Sequence, residues 1–322
     1  MKKVSEFKKV ASIYGGMIGG SWVTLFAMKG LETWSYGRND DSIAKTKAHV
    51  DANFQTLIEY GALKAEELPA VQARIHYTTS LEEACKDADF IQENGPERIE
   101  AKLEALKNIE AVAPVDALIA TSSSGIVIDN IVAEAAHPER VVGGHPYNPP
   151  HLIPLVEISY CAKTDKAYVD LAVEFYKSID KEPVVLNKAC PGFIANRLQL
   201  AVYREMMDLT MRGVCSAADA DKALVYGPGI RWAIFGHNMI MQLGNPGGIV
   251  GMMNMLGNGG DVWLADMASW THMPNAEYGP IAKESIDKMM AEYPDYIGHT
   301  NAECSKYRDK MLIDILKLHK KL

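Results

Sequence analysis

The sequence predicts an α/β amino-terminal domain, with a mostly parallel sheet and helices on both faces, followed by an all-α carboxy-terminal domain. Three observations predict it. Short apolar runs alternate with helix-like stretches from residue 9 to about 160, and buried strands separated by helices read as a parallel sheet. A glycine cluster lies between the first apolar run and the first helix. From about residue 192 the strand-like runs stop and long helical stretches take over.

In chain order, residues 9–14 read as a strand and 15–20 as a turn. Residues 21–29 read as a short apolar helix stopped by Gly30, a residue type suited to the position just past a helix end. A strand over 31–36, a helix over 41–60 and a strand over 75–78 follow. Ser80 is placed to cap a helix over 81–86. Strand 89–92 and helix 99–113 precede strand 118–121, which runs into a Ser-Ser-Ser-Gly stretch. A helix over 128–136 leads to strands at 141–145 and 155–160. The domain joint is read near 187–191, where Pro191 is suited to open a helix. Beyond it, helices are predicted over 192–212, 216–225, 278–293 and 305–321. The Gly- and Met-rich stretch 236–262 carries apolar rows that suit helix packing. The domains are expected at 1–190 and 191–322.

With 48% hydrophobic and 23% charged residues, the 322-residue chain can bury a sizeable core. Its net charge of −8 argues against a general nucleic-acid binder, which carries a basic footprint. Five scattered cysteines (Cys85, Cys161, Cys190, Cys215, Cys304) include no CxxC pair. A disulfide framework or structural zinc site is not expected from that pattern. No apolar signal-peptide core follows the charged start, and no apolar run approaches the ~18 residues of a membrane span. The expectation is a soluble cytoplasmic protein with no metal, nucleic-acid or membrane partner.

The glycine cluster, SIYGGMIGGSW, points to a dinucleotide. A strand–turn–helix that cradles a pyrophosphate needs a tight turn, a close backbone approach and close helix–strand packing. The phosphates then lie at a helix N-terminus. In the usual frame Tyr14 stands at the first glycine position, while Gly16 and Gly19 take the second and third. Gly15, Met17 and Ile18 complete the candidate cofactor turn. A frame starting at Gly15 is no cleaner, and a glycine-rich turn that binds nothing is the alternative. The second strand ends in Gly37-Arg38, where an acidic residue would bind the ribose hydroxyls of NAD. Glycine leaves room for a 2′-phosphate and a guanidinium can pair with it. NADP is favoured. Asp40 and Asp41 keep NAD open.

Further motifs agree in order and spacing: FIQENGPERIEAK (90–102), IATSSSGI (119–126), GGHPYNPPHLIPLVEI (143–158), CPGFIANRLQ (190–199) and GPGIRWAIFG (227–236). Over roughly residues 9–260 the chain resembles the 3-hydroxyacyl-CoA dehydrogenase family. The resemblance is strongest to the branch acting on small polar hydroxy acids, which includes L-carnitine dehydrogenase and L-gulonate 3-dehydrogenase. It implies a Rossmann-type nicotinamide-dinucleotide domain followed by a helical substrate domain that dimerises. It implies interconversion of a 3-hydroxy group and a 3-ketone. His145 matches the catalytic histidine and Glu157 the carboxylate that orients it. Ser123 and Asn196 match residues near the substrate oxygen. Glu93 and Arg98 fall on positions contacting the cofactor. Tyr14 and Gly37-Arg38 depart from the family pattern, both at the adenine end.

The chemistry is consistent with those matches. Hydride leaves a carbinol carbon while its hydroxyl loses a proton, and a base titrating near neutrality suits that step. His145 ends an apolar strand, and Glu157 lies on the next. A carboxylate within an apolar strand is costly unless paired. Ser123 and Asn196 would donate to oxygen as charge develops. A hydrolase is the rival, but the serine run lacks the G-x-S-x-G elbow. A metal site from His145, His151 and Glu157 has no recognised ligand spacing. Arg231 is a candidate clamp for a substrate carboxylate, and Trp232 for an adjoining contact or a quaternary ammonium. A CoA-thioester dehydrogenase and a non-catalytic nucleotide-binding homologue are the alternatives.

Overall fold

A computed structural model describes residues 2–322. They divide into two compact units: residues up to Ile194 together with Arg308–Leu322, and Ala195–Tyr307.

In the first unit the order is β1 (Lys9–Ile13), α1 (Gly16–Met28), β2 (Glu32–Tyr36), α2 (Asp40–Glu59), α3 (Leu68–Gln72), β3 (Ile75–Thr78), α4 (Leu81–Cys85) and β4 (Phe90–Glu93). Then come α5 (Ile99–Glu110), β5 (Leu118–Thr121), α6 (Ile128–Ile131), β6 (Val141–Pro146), β7 (Leu155–Ser159), α7 (Lys166–Ser178) and β8 (Glu182–Val185). The strands form one sheet in the order β3-β2-β1-β4-β5-β6-β7-β8. Neighbours are parallel except β6 and β7, which are antiparallel. Trp22, Phe26, Phe90, Phe175 and Tyr176 fill one face, and Ile13, Ile91, Leu106, Ile109 and Ile119 the other. This is the Rossmann-type α/β domain, and the chain order reverses between β1 and β4, where such sheets open a ligand crevice.

In the second unit α8 (Ala195–Met211), α9 (Ala217–Leu224), a π-helical turn (Val225–Gly229), α10 (Ile230–Trp232), α11 (His237–Leu243), α12 (Gly248–Asp266) and α13 (Asn275–Ala291) make an all-α body. The last helix, α14 (Asn301–Leu318), passes into the first unit from Arg308 on.

Several boundaries differ from the sequence reading. The first helix starts at Gly16, not 21, because the glycines are its opening turn rather than a separate loop. Segments not foreseen include α3, α10 and the α7–β8 pair that extends the sheet. Asp165 caps α7, whose buried Val169, Ala172, Phe175 and Tyr176 recur at helical spacing. The helix expected over 128–136 ends at Ile131. Pro191 does not open α8: Gly192 (φ 75°) and Phe193 (φ 50°) are left-handed, so helix begins only at Ala195. The helical domain was expected to run to 322, yet Ile313 and Leu316 join Val23, Phe54 and Leu57 in a core cluster of the first unit. That apolar stripe on α14 is buried against α1 and α2.

Candidate active site

The glycine turn lies at the β1–β4 crevice. Asn94, just past β4, donates from Nδ2 to Ser12 Oγ (3.1 Å) and to the Ile13 carbonyl (3.1 Å). A side chain at Gly15 would overlap Thr46 of α2, and one at Gly19 would overlap the Tyr14 carbonyl. Gly16 has φ +76° and open space in front of it. Met17 is exposed, whereas Ile18 packs into the core. Tyr14 also has a positive φ, 64°. The backbone at the missing first glycine is thus the left-handed one a glycine adopts freely. A cleft of about 360 Å³ is bounded by Tyr14, Gly15, Gly16, Gly37, Arg38, Ser42, Asn94, Gly95 and Pro96. A Cβ at Gly37 would stand 2.6 Å from Ser42 Oγ, so the first turn of α2 leaves no room for an acidic side chain. Arg38 is exposed and makes no hydrogen bond or ion pair among the described residues. Bare backbone, a helix N-terminus and a cation in one cleft fit a dinucleotide.

Glu93, which the motif sets near the cofactor, closes β4. It is 3% exposed, and both carboxylate oxygens are engaged within the protein. Lys102 Nζ (2.8 Å) and Thr121 Oγ1 (2.6 Å) donate to Oε2, and the Gly95 N–H donates to Oε1. Lys102 also donates to the Gly95 carbonyl at 2.9 Å. Glu93 therefore holds the Gly95 loop that lines the cleft. Arg98 is exposed at the N-cap of α5.

Ser123 is 2% exposed and donates to Glu97 Oε1 at 2.7 Å. The same oxygen accepts from the N–H groups of Ser124 (3.0 Å), Gly125 (2.8 Å) and Ile126 (3.2 Å). Burial pushes the Glu97 carboxyl up, but hydrogen bonds from Ser123, Gly125 and Ile126 and the charge of Lys102 hold it below the usual carboxylate range. The sequence reading missed Glu97, although it stands between Glu93 and Arg98. Nothing local shows that its partner is a loop 26 residues downstream.

His145 and Glu157 are direct cross-strand partners on β6 and β7. His145 Nδ1 lies 3.0 Å from Glu157 Oε2, with side chains 8% and 1% exposed. The Ile194 N–H donates to Glu157 Oε1 at 2.7 Å. The Phe193 ring packs 5.2 Å from the imidazole. Sequence reasoning missed both contacts, though the CPGFIANRLQ motif contains both residues. With Nδ1 held by a carboxylate, its hydrogen is assigned there and Nε2 is left as the basic nitrogen. His151, the rival metal ligand, is tied to Ser21 Oγ at 3.1 Å. Among the described residues no group of three or more His, Cys, Asp or Glu is placed to hold a metal.

In the second unit Asn196 is half-buried in the first turn of α8. Arg231 and Trp232 lie on α10, with Trp232 Nε1 donating to His237 Nδ1 at 3.0 Å. No helix among the described residues is long and apolar enough to cross a membrane.

The crevice and the buried histidine–carboxylate pair lie in a domain whose family match makes the chain an NAD(P)-dependent oxidoreductase acting on a 3-hydroxy or 3-keto group. The chain belongs to the 3-hydroxyacyl-CoA dehydrogenase family. Residues 9–190 match the family's NAD-binding domain and residues 192–277 its C-terminal domain. It is 34% identical to L-carnitine dehydrogenase of Streptomyces griseus subsp. griseus over 312 residues, 97% of this chain and 90% of that one. It is 34% identical to L-carnitine dehydrogenase of Pseudomonas aeruginosa over 317 residues, 98% of this chain and 95% of that one. Among solved structures, 3-hydroxybutyryl-CoA dehydrogenase from Escherichia coli K12 is similar at 27% identity and a TM-score of 0.64, covering 77% of this chain and 52% of that one. The NAD+-dependent 5-formyl-3-hydroxy-2-methylpyridine 4-carboxylic acid 5-dehydrogenase shares the fold, with a TM-score of 0.78, 24% identity and 98% of each chain covered.

Proposed function

We propose that the protein is an NADP-preferring dehydrogenase that interconverts the 3-hydroxy and 3-keto forms of a small polar hydroxy acid, carnitine- or gulonate-like. The observation that carries the reading is the buried His145–Glu157 pair, 3.0 Å apart in direct register on adjacent strands. The glycine turn of residues 15–19 would hold the pyrophosphate, and Arg38 would pair with the 2′-phosphate. When bound, the nicotinamide accepts the hydride from the carbinol carbon. His145 Nε2 takes the hydroxyl proton, and Glu157 holds the imidazole in that tautomer and stabilises the imidazolium. Ser123 and Asn196 donate to the substrate oxygen, Ser123 while shared with Glu97. Arg231 clamps the carboxylate, with Trp232 beside it.

The small-acid reading is supported by full-length similarity to L-carnitine dehydrogenases at 32–34% identity. The family description and the E. coli structure support a CoA-thioester substrate as the second reading. The protein is further proposed to be a cytoplasmic homodimer. Support comes from α12, which exposes Val250, Met253, Met255, Val262, Trp263 and Leu264 at 61–69%, an apolar surface of the kind partners cover.

The test is an initial-rate comparison of L-carnitine, L-gulonate and 3-hydroxybutyryl-CoA, each with NADP+ and NAD+. The proposal expects a free hydroxy acid to turn over with NADP+. His145→Gln should then lower kcat about 10²–10⁴-fold with cofactor binding unchanged. Turnover of the thioester alone would establish the CoA reading. Cofactor binding without turnover of any of the three would favour the non-catalytic homologue.

A further inference from the structure

Tyr14 stands where the dinucleotide turn calls for glycine, yet its backbone keeps the glycine conformation, φ 64°. A non-glycine residue held left-handed is strained by about 1–2 kcal/mol, and such strain persists where the surroundings over-determine it. The surroundings lie along the cleft and at the end of β2. The Tyr14 ring meets Tyr36 edge-on at 5.6 Å, at the last residue of β2. The Arg38 guanidinium lies over its face, 6.0 Å from the centroid. On the other side the ring occupies space that Gly95 leaves free: a Cβ there would stand 3.0 Å from Tyr14 Cδ2. A Cβ at Gly19 would overlap the Tyr14 carbonyl, so that glycine lets the opening of α1 pack closely on the Tyr14 backbone. Apart from this ring, Arg38 has no side-chain partner among the described residues.

We propose that Tyr14 is a specificity-determining residue for the cofactor: its ring is the platform that holds the Arg38 guanidinium at the adenosine end of the cleft, in place to pair with a 2′-phosphate. The inference rests on the NADP reading above and deepens it. Without the ring, Arg38 is a solvated side chain on an exposed turn. It then loses rotamer entropy on meeting the phosphate, and the preference for the phosphorylated cofactor weakens. The phenol oxygen has no part in this, so phenylalanine should serve as well as tyrosine.

The experiment titrates NADPH and NADH separately against the full chain by nicotinamide fluorescence, in wild type, Tyr14→Gly, Tyr14→Phe and Arg38→Ala. The Kd ratio for the two cofactors is the readout, because a merely structural role would weaken both equally. Wild type should favour NADPH, and Arg38→Ala should abolish that preference. Tyr14→Gly, which suits φ 64° and should fold without strain, is expected to reduce the ratio about three- to fivefold, the scale of an exposed cation–π contact. NADH binding should change little, and Tyr14→Phe should keep the wild-type ratio. If wild type favours NADPH but Tyr14→Gly leaves the ratio unchanged, or weakens both cofactors alike, the role of Tyr14 is overturned and the Arg38 reading stands. If wild type favours NADH, the Arg38 reading fails and this inference with it.

Discussion

His151 makes the folded state of the first unit sensitive to acid. It is 7% exposed in the loop between the dyad strands, with Nδ1 on Ser21 Oγ at 3.1 Å. Burial pushes its pKa down to about 3, helped by the positive charges of Lys181, His49 and Arg308. The unfolded chain takes up a proton at this residue from about pH 6.5 downward. The folded chain refuses it until about pH 3. Between those values the unfolded state holds more protons, so stability falls as pH falls. From pH 7 to pH 5 the linkage amounts to about 2 kcal/mol, and to about 5 kcal/mol over the whole window. The perturbation is His151→Gln, which keeps a side-chain polar group near Ser21 but cannot titrate. Urea denaturation followed by circular dichroism at pH 7, 6 and 5 measures it. Wild type should lose about 2 kcal/mol more than the variant between pH 7 and 5. Parallel losses in the two proteins would refute the argument that His151 is kept neutral by burial.

Two further perturbations probe the supports of the site. Lys102→Met leaves the Glu93 carboxylate buried without its cation and should cost about 3–5 kcal/mol in urea denaturation; adding Glu93→Gln should recover most of that loss, and failure to recover it would separate the two residues. Glu97→Ala removes the shared acceptor of the Ser123 hydroxyl and three consecutive N–H groups, so hydrogen exchange at Ser124, Gly125 and Ile126 should accelerate while β5 stays protected. Unchanged exchange there would show that the loop is held by other means.

What the sequence made legible was local. Strands β1, β4, β5 and β7 are short, mostly apolar runs, and Ser80 caps α4 by accepting from the Glu83 N–H, as its position before the helix suggested. The parallel sheet followed from those runs alternating with helices. β8 escaped because its sequence, EPVV, opens with a charge and a proline and leaves only two apolar residues; a proline argues against a strand in a sheet interior. At the site, the histidine and carboxylate were read from the GGHPYNPPHLIPLVEI motif, and the cost of a lone carboxylate in an apolar strand argued that the two are paired. Glu93 was assigned to the cofactor by its motif, but its partners Lys102 and Thr121 come from a helix and a neighbouring strand. Long-range pairing of that kind leaves no periodic trace. Tyr14 was visible as an anomaly from the start, and only the backbone angle shows that the turn kept its glycine shape around it.

The dyad itself depends on a constraint that lies outside every motif. His145 and Glu157 are twelve residues apart and face each other only in the observed register. A slip of one residue would turn the carboxylate to the other face of the sheet. The connecting loop must therefore be held at a fixed length and path. Lys181, just before β8, does this from below: its Nζ donates to the carbonyls of Pro150 and Ile153, the latter at 2.7 Å. The same ammonium lies 5.2 Å from the Trp22 ring centroid, and His151 ties the loop to α1 through Ser21. Burial, with the nearby charge of Lys29, pushes the Lys181 ammonium down to about 7. Two carbonyl acceptors and an aromatic face act the other way, since each favours the charged form. A buried cation whose hydrogen bonds go to loop carbonyls stabilises one path of that loop over the alternatives. The geometry that lets His145 act as a base is thus set partly from residue 181, just ahead of the strand that sequence periodicity did not reveal.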